Sequence, residues 1–555
     1  MLRETLSAMR DLPRLREVSS VLIRYGMGDF LRRLGITGLL ERAGQILHMP
    51  SKPEREHQQE APVRLRKALE ELGPTYVKLG QVLATRSDLF GADWITEFEK
   101  LQSNVPPVPW DELHPTLTAA LGEAPETLFA NISKEPLGAG SIAQVHLAQL
   151  HSGEAVVVKV RRPGIRPKID ADLRILGYIA QLVELEFPET RRYRPTQIVE
   201  QFAKSLRREL DLATEARNMQ RFAANFADDP HIIVPQVFWD YTNEHVNVQQ
   251  WIQGIPGNQL AELAPNGLDR RTLAARGADS VLKMILIDGY FHADPHPGNV
   301  FYLPSNRIAF IDFGMVGWLS QTRRDQVVDL LAALSRRDAY GIADILQEWV
   351  SGNSLDDEQL ASDINEFIFN YEHVSLQDLR ITSLLTDIVT IMREHEIALP
   401  ADMTLLFKAL ITLEGLGRQL DPQFQMVEHL TPYVKKVILH RFHPETLLAK
   451  GKHGLREAFG LLSGVPRDLG RLLKELRRGN VRIDLDLKRL DSFGHQLDKS
   501  ANRLTLGIVT AALIIGSSIA MTVPGGPKTF GLIAFILAFF NSLWIIFSIW
   551  RSGKN

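Results

Sequence analysis

The 555-residue chain contains no cysteine. Disulfides, thiolate zinc sites, iron–sulfur clusters and a cysteine nucleophile are therefore excluded, and the absence fits a reducing compartment. An excess of one charge is also missing. The 63 Lys and Arg against 66 Asp and Glu leave a net charge of −3, so nothing global points to a nucleic-acid partner. No secretory signal is legible, because Met1 to Glu17 mixes charges with apolar residues and lacks an uninterrupted apolar core. Internal repeats and long low-complexity segments are absent too. What is present is 45% hydrophobic and 23% charged. That composition, at this length, suits two or more folded domains.

The C-terminal end has a different character. Leu504 to Val523 and Phe530 to Trp550 are two uncharged runs of about twenty residues each, separated by Pro524-Gly-Gly-Pro527-Lys528. They predict a transmembrane hairpin. Lys499 and Arg503 precede it and Arg551 and Lys554 follow it, which places both ends, and the bulk of the chain, on the cytoplasmic side. Pro466 to Arg478 reads either as a basic amphipathic helix lying on anionic lipid or as a solvated helix packed on the core. Small residues such as Gly507, Ala511 and Gly516 suit a homodimer through the hairpin, and equally suit packing within one molecule.

Further upstream, Val18 to Leu34 and Arg64 to Leu83 have helical periodicity, with the polar stretch Ser51 to Glu60 between them as a linker. From Ile132 the period changes to strand–turn–strand. Pro136 to Ser141 is a turn-rich loop, Ile142 to Ala148 a strand, Ser152-Gly153 a hairpin turn and Ala155 to Val160 a second strand. Helices are expected over Asp170 to Leu185 and Pro195 to Phe222. Strands are expected over Val234 to Trp239 and His245 to Trp251, and mostly helix from Leu268 onward.

Several residue patterns carry phosphate chemistry. Phosphoryl transfer needs backbone donors over the phosphates, a lysine on them, a carboxylate holding that lysine, and oxygen ligands for magnesium. Gly138-Ala139-Gly140-Ser141-Ile-Ala-Gln-Val145 follows a kinase glycine-loop pattern, with alanine at the third glycine position. Alone it fits any hairpin turn; a lysine on the next strand gives it weight. Lys159 ends a Val-Val-Val-Lys-Val strand, where a buried lysine needs an anionic partner and a solvent-facing one does not. Glu209, Asp211 and Glu215 are the helical carboxylates in range, and the residues alone do not choose among them. Asp294 and Asn299 have the D-x-x-x-x-N spacing of a catalytic loop, and Asp312 opens Asp-Phe-Gly after the apolar strand Ile308 to Ile311. Asp294 would orient or deprotonate an attacking hydroxyl or water, while Asn299 and Asp312 would bind Mg2+. His292 reads as a brace for that loop.

Together these residues resemble the UbiB/AarF/ADCK family of atypical, protein-kinase-like proteins, over roughly residues 65 to 450 and on to the hairpin. The most specific mark is Lys78-Leu-Gly80-Gln81, which matches the family's K-x-G-Q motif. Ser141-Ile-Ala-Gln-Val-His146 looks like a family signature, Glu209-x-Asp211 matches the E-x-D motif, and Glu215 falls where the family places the lysine-pairing glutamate. The resemblance implies ATP and Mg2+ as cofactors. It implies ATPase or small-molecule kinase activity, with Lys78 and Gln81 beside Asp294 and Lys159 in the catalytic set. It also implies a K-x-G-Q helix lying where a peptide would dock, which disfavours protein phosphorylation. The role implied is in ubiquinone biosynthesis, with a prenylated quinone precursor, the biosynthetic enzymes and the lipid membrane as partners, at the bacterial inner membrane. The chain departs from the family's alanine-rich nucleotide loop at Gly138 and Gly140.

The reading is thus an α+β, bilobal protein-kinase-like fold with an N-terminal helical extension and a C-terminal two-helix transmembrane hairpin. Its segments are 1–60 amphipathic, 61–130 extension, 131–255 N-lobe, 256–450 C-lobe, 451–503 juxtamembrane and 504–550 hairpin. A phosphotransferase of the aminoglycoside or choline kinase kind shares the H-x-D-x-x-x-x-N loop and a late I-D-x-G, but has neither K-x-G-Q nor a hairpin. A silent scaffold would be expected to lose the magnesium ligands present here.

Overall fold

The computed structural model describes residues 11–42, 60–101, 105–349, 357–371 and 380–441, less 87, 337, 396 and 398, together with a few positions between 510 and 540. The first of its two units, Met1–Leu447, holds all the elements below. The linker up to Gln59, the basic segment Pro466 to Arg478 and most of the two apolar runs lie outside the described residues. Among the described residues no helix is long and apolar enough to cross a membrane.

The chain starts with helices α1 (Leu12–Arg24), α2 (Gly28–Arg33), α3 (Ile36–Arg42), α4 (Ala61–Leu72), α5 (Pro74–Ala84), α6 (Ala92–Glu99) and α7 (Trp110–Leu121). The periodic stretch Arg64 to Leu83 is two helices rather than one. Gly73 has φ 98, which only glycine adopts freely, and Pro74 has no N–H to continue the ladder of α4. Val18 to Leu34 breaks likewise, at Gly26 with φ 80. Strands β1 (Phe129–Ala139), β2 (Ala143–Leu150) and β3 (Ala155–Arg161) follow, then α8 (Ile165–Glu186), α9 (Pro195–Glu209) and α10 (Leu212–Asn225). The expected single helix from Pro195 to Phe222 ends at Glu209. The Asp211 side chain accepts the Ala213 N–H and caps a new helix, and the Leu212 N–H turns out to the Glu244 carbonyl.

The remaining strands are β4 (Ile232–Ile233), β5 (Val246–Gln250) and β6 (Ile255–Pro256). Instead of a strand over Val234 to Trp239 there is β4 and one bridge, Val237 to Gln249; Pro235 cannot donate to a ladder. Next come α11 (Arg270–Leu282), β7 (Tyr290–His292), β8 (Val300–Leu303), β9 (Arg307–Phe310), β10 (Val316–Trp318), α12 (Gln321–Arg336), α13 (Ala339–Glu348), α14 (Asp357–Asn370), α15 (Ile381–Glu394), α16 (Ala401–Leu420) and α17 (Met426–Arg441).

The N-lobe sheet has the order β1-β2-β3-β5, antiparallel throughout. Val156, Val158 and Val160 face a core closed by Leu113 and Leu117 of α7, while Val157 and Lys159 point to the opposite face. A second core joins α1, α4 and α5 to α8 and α9 through residues such as Leu15, Leu69, Leu173 and Phe202. The N-terminal helices therefore share their interior with the lobe instead of trailing from it. Asp172 on α8, almost fully buried, is held by Arg14 of α1 at 2.7 Å and by the Thr75 hydroxyl of α5 at 2.7 Å. The third and largest core spans α10 to α17 and supports the short strands that carry the Asp294 and Asp312 loops.

Candidate functional site

The glycine-loop segment is a tight hairpin more than a loop. β1 runs on through Ala139, Gly138 pairs with Val145, and Ala139 with Gln144. The Gly140 N–H donates to the Ala143 carbonyl across the turn, and Ser141 is buried within it. Val145 is in register with Lys159, so the hairpin is aligned on the lysine. Arg162 donates to the Gly140 carbonyl from the far end of β3.

Lys159 is not the solvent-facing lysine that strand alternation allows. Its Nζ lies 2.8 Å from Glu215 Oε1 and 3.4 Å from Asp312 Oδ2. Glu215 is on the buried face of α10 with Ala216, Met219 and Phe222, spaced as one helical stripe. That spacing is the signal that separates Glu215 from Glu209 and Asp211. Burial alone would lower the Lys159 ammonium, but Asp312 and Glu215 outweigh it and keep it raised. Burial pushes Glu215 up to about 7 against the pull of Lys159, with the charge of Asp312 adding to the rise. Asp312 goes the other way. Burial would raise it, yet Lys159, the Gly314 N–H and Lys78 hold it well below the usual carboxylate range.

Asp312 also has φ 58, a left-handed backbone that costs a non-glycine residue. Its surroundings enforce it. The Gly314 N–H donates to Oδ1 at 3.1 Å, and Phe313 is fully buried against Phe222 of α10 and His292 of β7, with ring centroids 4.8 and 5.4 Å away. Asn218 of α10 donates to the Phe313 carbonyl at 2.9 Å and accepts from the Tyr290 hydroxyl at 2.7 Å. Sequence reasoning missed Asn218 and Tyr290; their role exists only once α10 lies over β7. Burial lowers the His292 imidazole, which keeps it neutral. It accepts the Asp294 N–H at Nδ1 and reaches the Ile311 carbonyl from Nε2 at 3.3 Å, the bracing role its position suggests.

Asn299 spends its Nδ2 on the Asp294 carbonyl at 3.1 Å, which leaves Oδ1 as the atom a cation can use. The Asp294 carboxylate meets a residue the motifs do not contain, Lys408 of α16, at 2.8 Å. Burial alone would raise Asp294; Lys408 outweighs it and holds it lowered. Lys78 of α5 binds Glu209 at 2.6 Å; burial would lower its ammonium, but Glu209, then Asp312 and Asp294, outweigh it and hold it raised, so it faces the same site. Gln81 donates to the Leu101 carbonyl at 3.0 Å. Asp211 is occupied by its capping bond, Thr214 and Arg217. The structure therefore brings Lys78, Lys159, Glu209, Glu215, Asp294, Asn299 and Asp312 into one region, with Gln81 bonded to the backbone at Leu101 and Asp211 bonded within the first turns of α10.

Among the described residues no three His, Asp or Glu side chains are grouped to hold a metal by themselves. Magnesium seldom needs such a group, since nucleotide oxygens and water complete its shell. The donors suit it: one carboxylate and one amide oxygen, both hard. Four carboxylates face three lysines across the cluster. After Asp312 the chain folds straight back, Val316 pairing with His292 and Trp318 with Tyr290, and α12 starts at Gln321. No long segment for docking a peptide intervenes.

The chain matches the ABC1 atypical kinase-like domain over residues 100–346, the UbiB helical domain over 364–425 and the ABC1/UbiB kinase-like C-terminal domain over 488–551. A Clostridium pasteurianum protein described as "Uncharacterized protein in hydrogenase 1 5'region" is 30% identical over 97% of this chain and 99% of its own. Proteins named "Probable protein kinase UbiB" are 35% identical over 78% of this chain, covering 82% of the Azotobacter vinelandii protein and 83% of one from Pseudomonas aeruginosa. The solved Rv3197–erythromycin complex from Mycobacterium tuberculosis aligns with 70% of this chain and 98% of its own at 20% identity, with a TM-score of 0.43. With kinase-like residues gathered on a kinase-like frame and these relatives beside it, the chain belongs to the UbiB family of ABC1 atypical kinase-like proteins.

Proposed function

We propose that the protein is an ATP-dependent atypical kinase or ATPase that supports ubiquinone biosynthesis at the bacterial inner membrane, its bulk facing the cytoplasm. ATP binding or hydrolysis is coupled to the handling of a prenylated quinone precursor, or of the enzymes that modify it. The observation that carries the reading is the Lys159–Glu215–Asp312 cluster facing the hairpin of Gly138 to Val145. Lys159, held by Glu215, meets the α and β phosphates, and the backbone of Gly138 to Ser141 covers them. Asn299 and Asp312 hold magnesium, which when bound neutralises charge on the phosphates. Asp294 orients the attacking water or hydroxyl. Lys78, on a helix that faces both Asp294 and Asp312, supports exclusion of a peptide substrate. The two apolar runs after Arg503 support work at a lipid surface.

Calorimetry of the full chain with Mg-ATP tests the site. Asp312→Asn is expected to lower nucleotide affinity at least about a hundred-fold, in line with loss of a charged magnesium ligand. Unchanged affinity would contradict the assignment. Turnover is expected to rise with vesicles containing anionic lipid and a phenolic prenylated precursor, and indifference to both would remove the lipid-pathway part of the reading.

A further inference from the structure

We infer that Lys408 is a positioning residue for the phosphoryl-transfer step, setting the Asp294 carboxylate against the attacking oxygen from a helix outside the catalytic loop. The inference rests on the function proposed above. Its basis is geometric. The loop Asp294-Pro-His-Pro-Gly-Asn299 contains no permanently charged cation of its own. Its backbone is well anchored: the Asp294 N–H donates to His292, and the Asp294 carbonyl accepts from Asn299. Among the described residues the carboxylate has one close partner, Lys408 Nζ at 2.8 Å from Oδ1; His296 stands 3.7 Å from Oδ2. The direction of the Asp294 side chain is therefore decided by α16.

That helix is suited to hold it. Leu406, Phe407 and Ala409 around Lys408 are buried, so the backbone at 408 is set by packing. Two further polar links tie the start of α16 down. Arg323 of α12 reaches Asp402 at 3.2 Å, and the Leu399 N–H donates to the buried Asp88 at 3.2 Å. Asp88 is in turn gripped by Arg86, just past the Lys78 helix. A lysine placed this way engages Oδ1 of Asp294 and leaves Oδ2, with His296 at 3.7 Å, as the oxygen turned to the nucleophile. In the transfer the attacking O–H oxygen bonds to the γ phosphorus and the bond from phosphorus to the β–γ bridging oxygen breaks. ADP leaves with that electron pair, and the nucleophile's proton passes to Asp294. Lys408 keeps the receiving carboxylate in line.

The test is steady-state ATP turnover and Mg-ATP calorimetry on the full chain in lipid vesicles, for wild type, Lys408→Met, Lys408→Arg, Asp294→Asn and the Lys408→Met/Asp294→Asn double variant. Lys408→Met is expected to lower kcat about ten- to a hundred-fold, the scale of a misplaced reacting group. Mg-ATP affinity should stay within about two-fold. Lys408→Arg should recover part of the loss, and Lys408→Met should cost nothing more once Asp294 is Asn. An unchanged kcat, an affinity loss with kcat intact, or an equal loss in the Asp294→Asn background would each overturn the inference. Should Lys408→Met unfold, Lys408→Arg and Lys408→Gln give the same kcat-against-affinity split. A wild type that neither binds nor turns over Mg-ATP would instead overturn the parent reading, and this one with it.

Discussion

Two lysine–glutamate pairs flank the site, and they differ in kind. Lys159–Glu215 is buried, with side chains 17% and 5% exposed, while Lys78–Glu209 is 26% and 29% exposed. The distances are nearly equal, 2.8 and 2.6 Å. Coulomb attraction at a given distance is weakened where water reaches the pair, and a partly exposed pair contributes less net stability. A buried pair is costly to break because the surviving charge is left stranded. The inner pair is thus part of the architecture that joins β3 to α10. The outer pair links α5 to α9 where water reaches it more readily, and it carries less thermodynamic weight.

The largest expected effect breaks the inner pair. Glu215→Ala leaves Lys159 with Asp312 alone at 3.4 Å and should lower stability by about 3 kcal/mol, seen as a reduced denaturation midpoint. A loss under half that would show that water reaches the pair. Next in size is the seat of the outer pair. A Cβ at Gly80 would stand 2.2 Å from Leu101 and 3.0 Å from Leu69. Gly80→Val should therefore push α5 off its bed at a cost of about 1–3 kcal/mol. Lys78→Met, which removes the outer pair without overpacking, should cost under about 1 kcal/mol and should lose that small effect in high salt. A Lys78→Met penalty equal to that of Glu215→Ala would abolish the contrast between the pairs.

The smallest effect concerns pH. Burial lowers the His146 imidazole, which bonds to Gln144 and the Ser133 carbonyl in the hairpin sheet. The unfolded chain takes up that proton near pH 6.5 while the folded one stays neutral. Its contribution is therefore fully present above that value and falls as pH drops toward the lowered folded one. Melting temperature should decline from pH 7 to pH 5, and His146→Gln should flatten the slope; an unchanged slope would contradict the assignment.

How much of this was legible in the sequence varied with the range of the interaction. Asp294, Asn299 and Asp312 stand out because their spacing is local and their loops follow apolar strands. The glutamate that pairs with Lys159 could have been picked out, since Glu215 shares a stripe with Met219 and Phe222, whereas Glu209 ends its helix and Asp211 caps the next. Breaks at Gly26 and Gly73-Pro74 were visible as residues but overridden by periodicity. Lys408 was out of reach: 114 positions separate it from Asp294, and nothing in its own helix distinguishes it from an exposed lysine. The same holds for Asn218 and Tyr290, whose bond depends on α10 crossing β7.

The short ladder between β7 and β10 has a consequence for control. From Phe313 to Leu319 there is no serine, threonine or tyrosine, and three of these residues are already paired to β7. In many kinases the stretch after this motif is a phosphorylated latch; here Phe313 to Leu319 offers no hydroxyl and is tied back to β7. The next hydroxyls, Ser320 and Thr322, lie at the start of α12, beyond the paired strand.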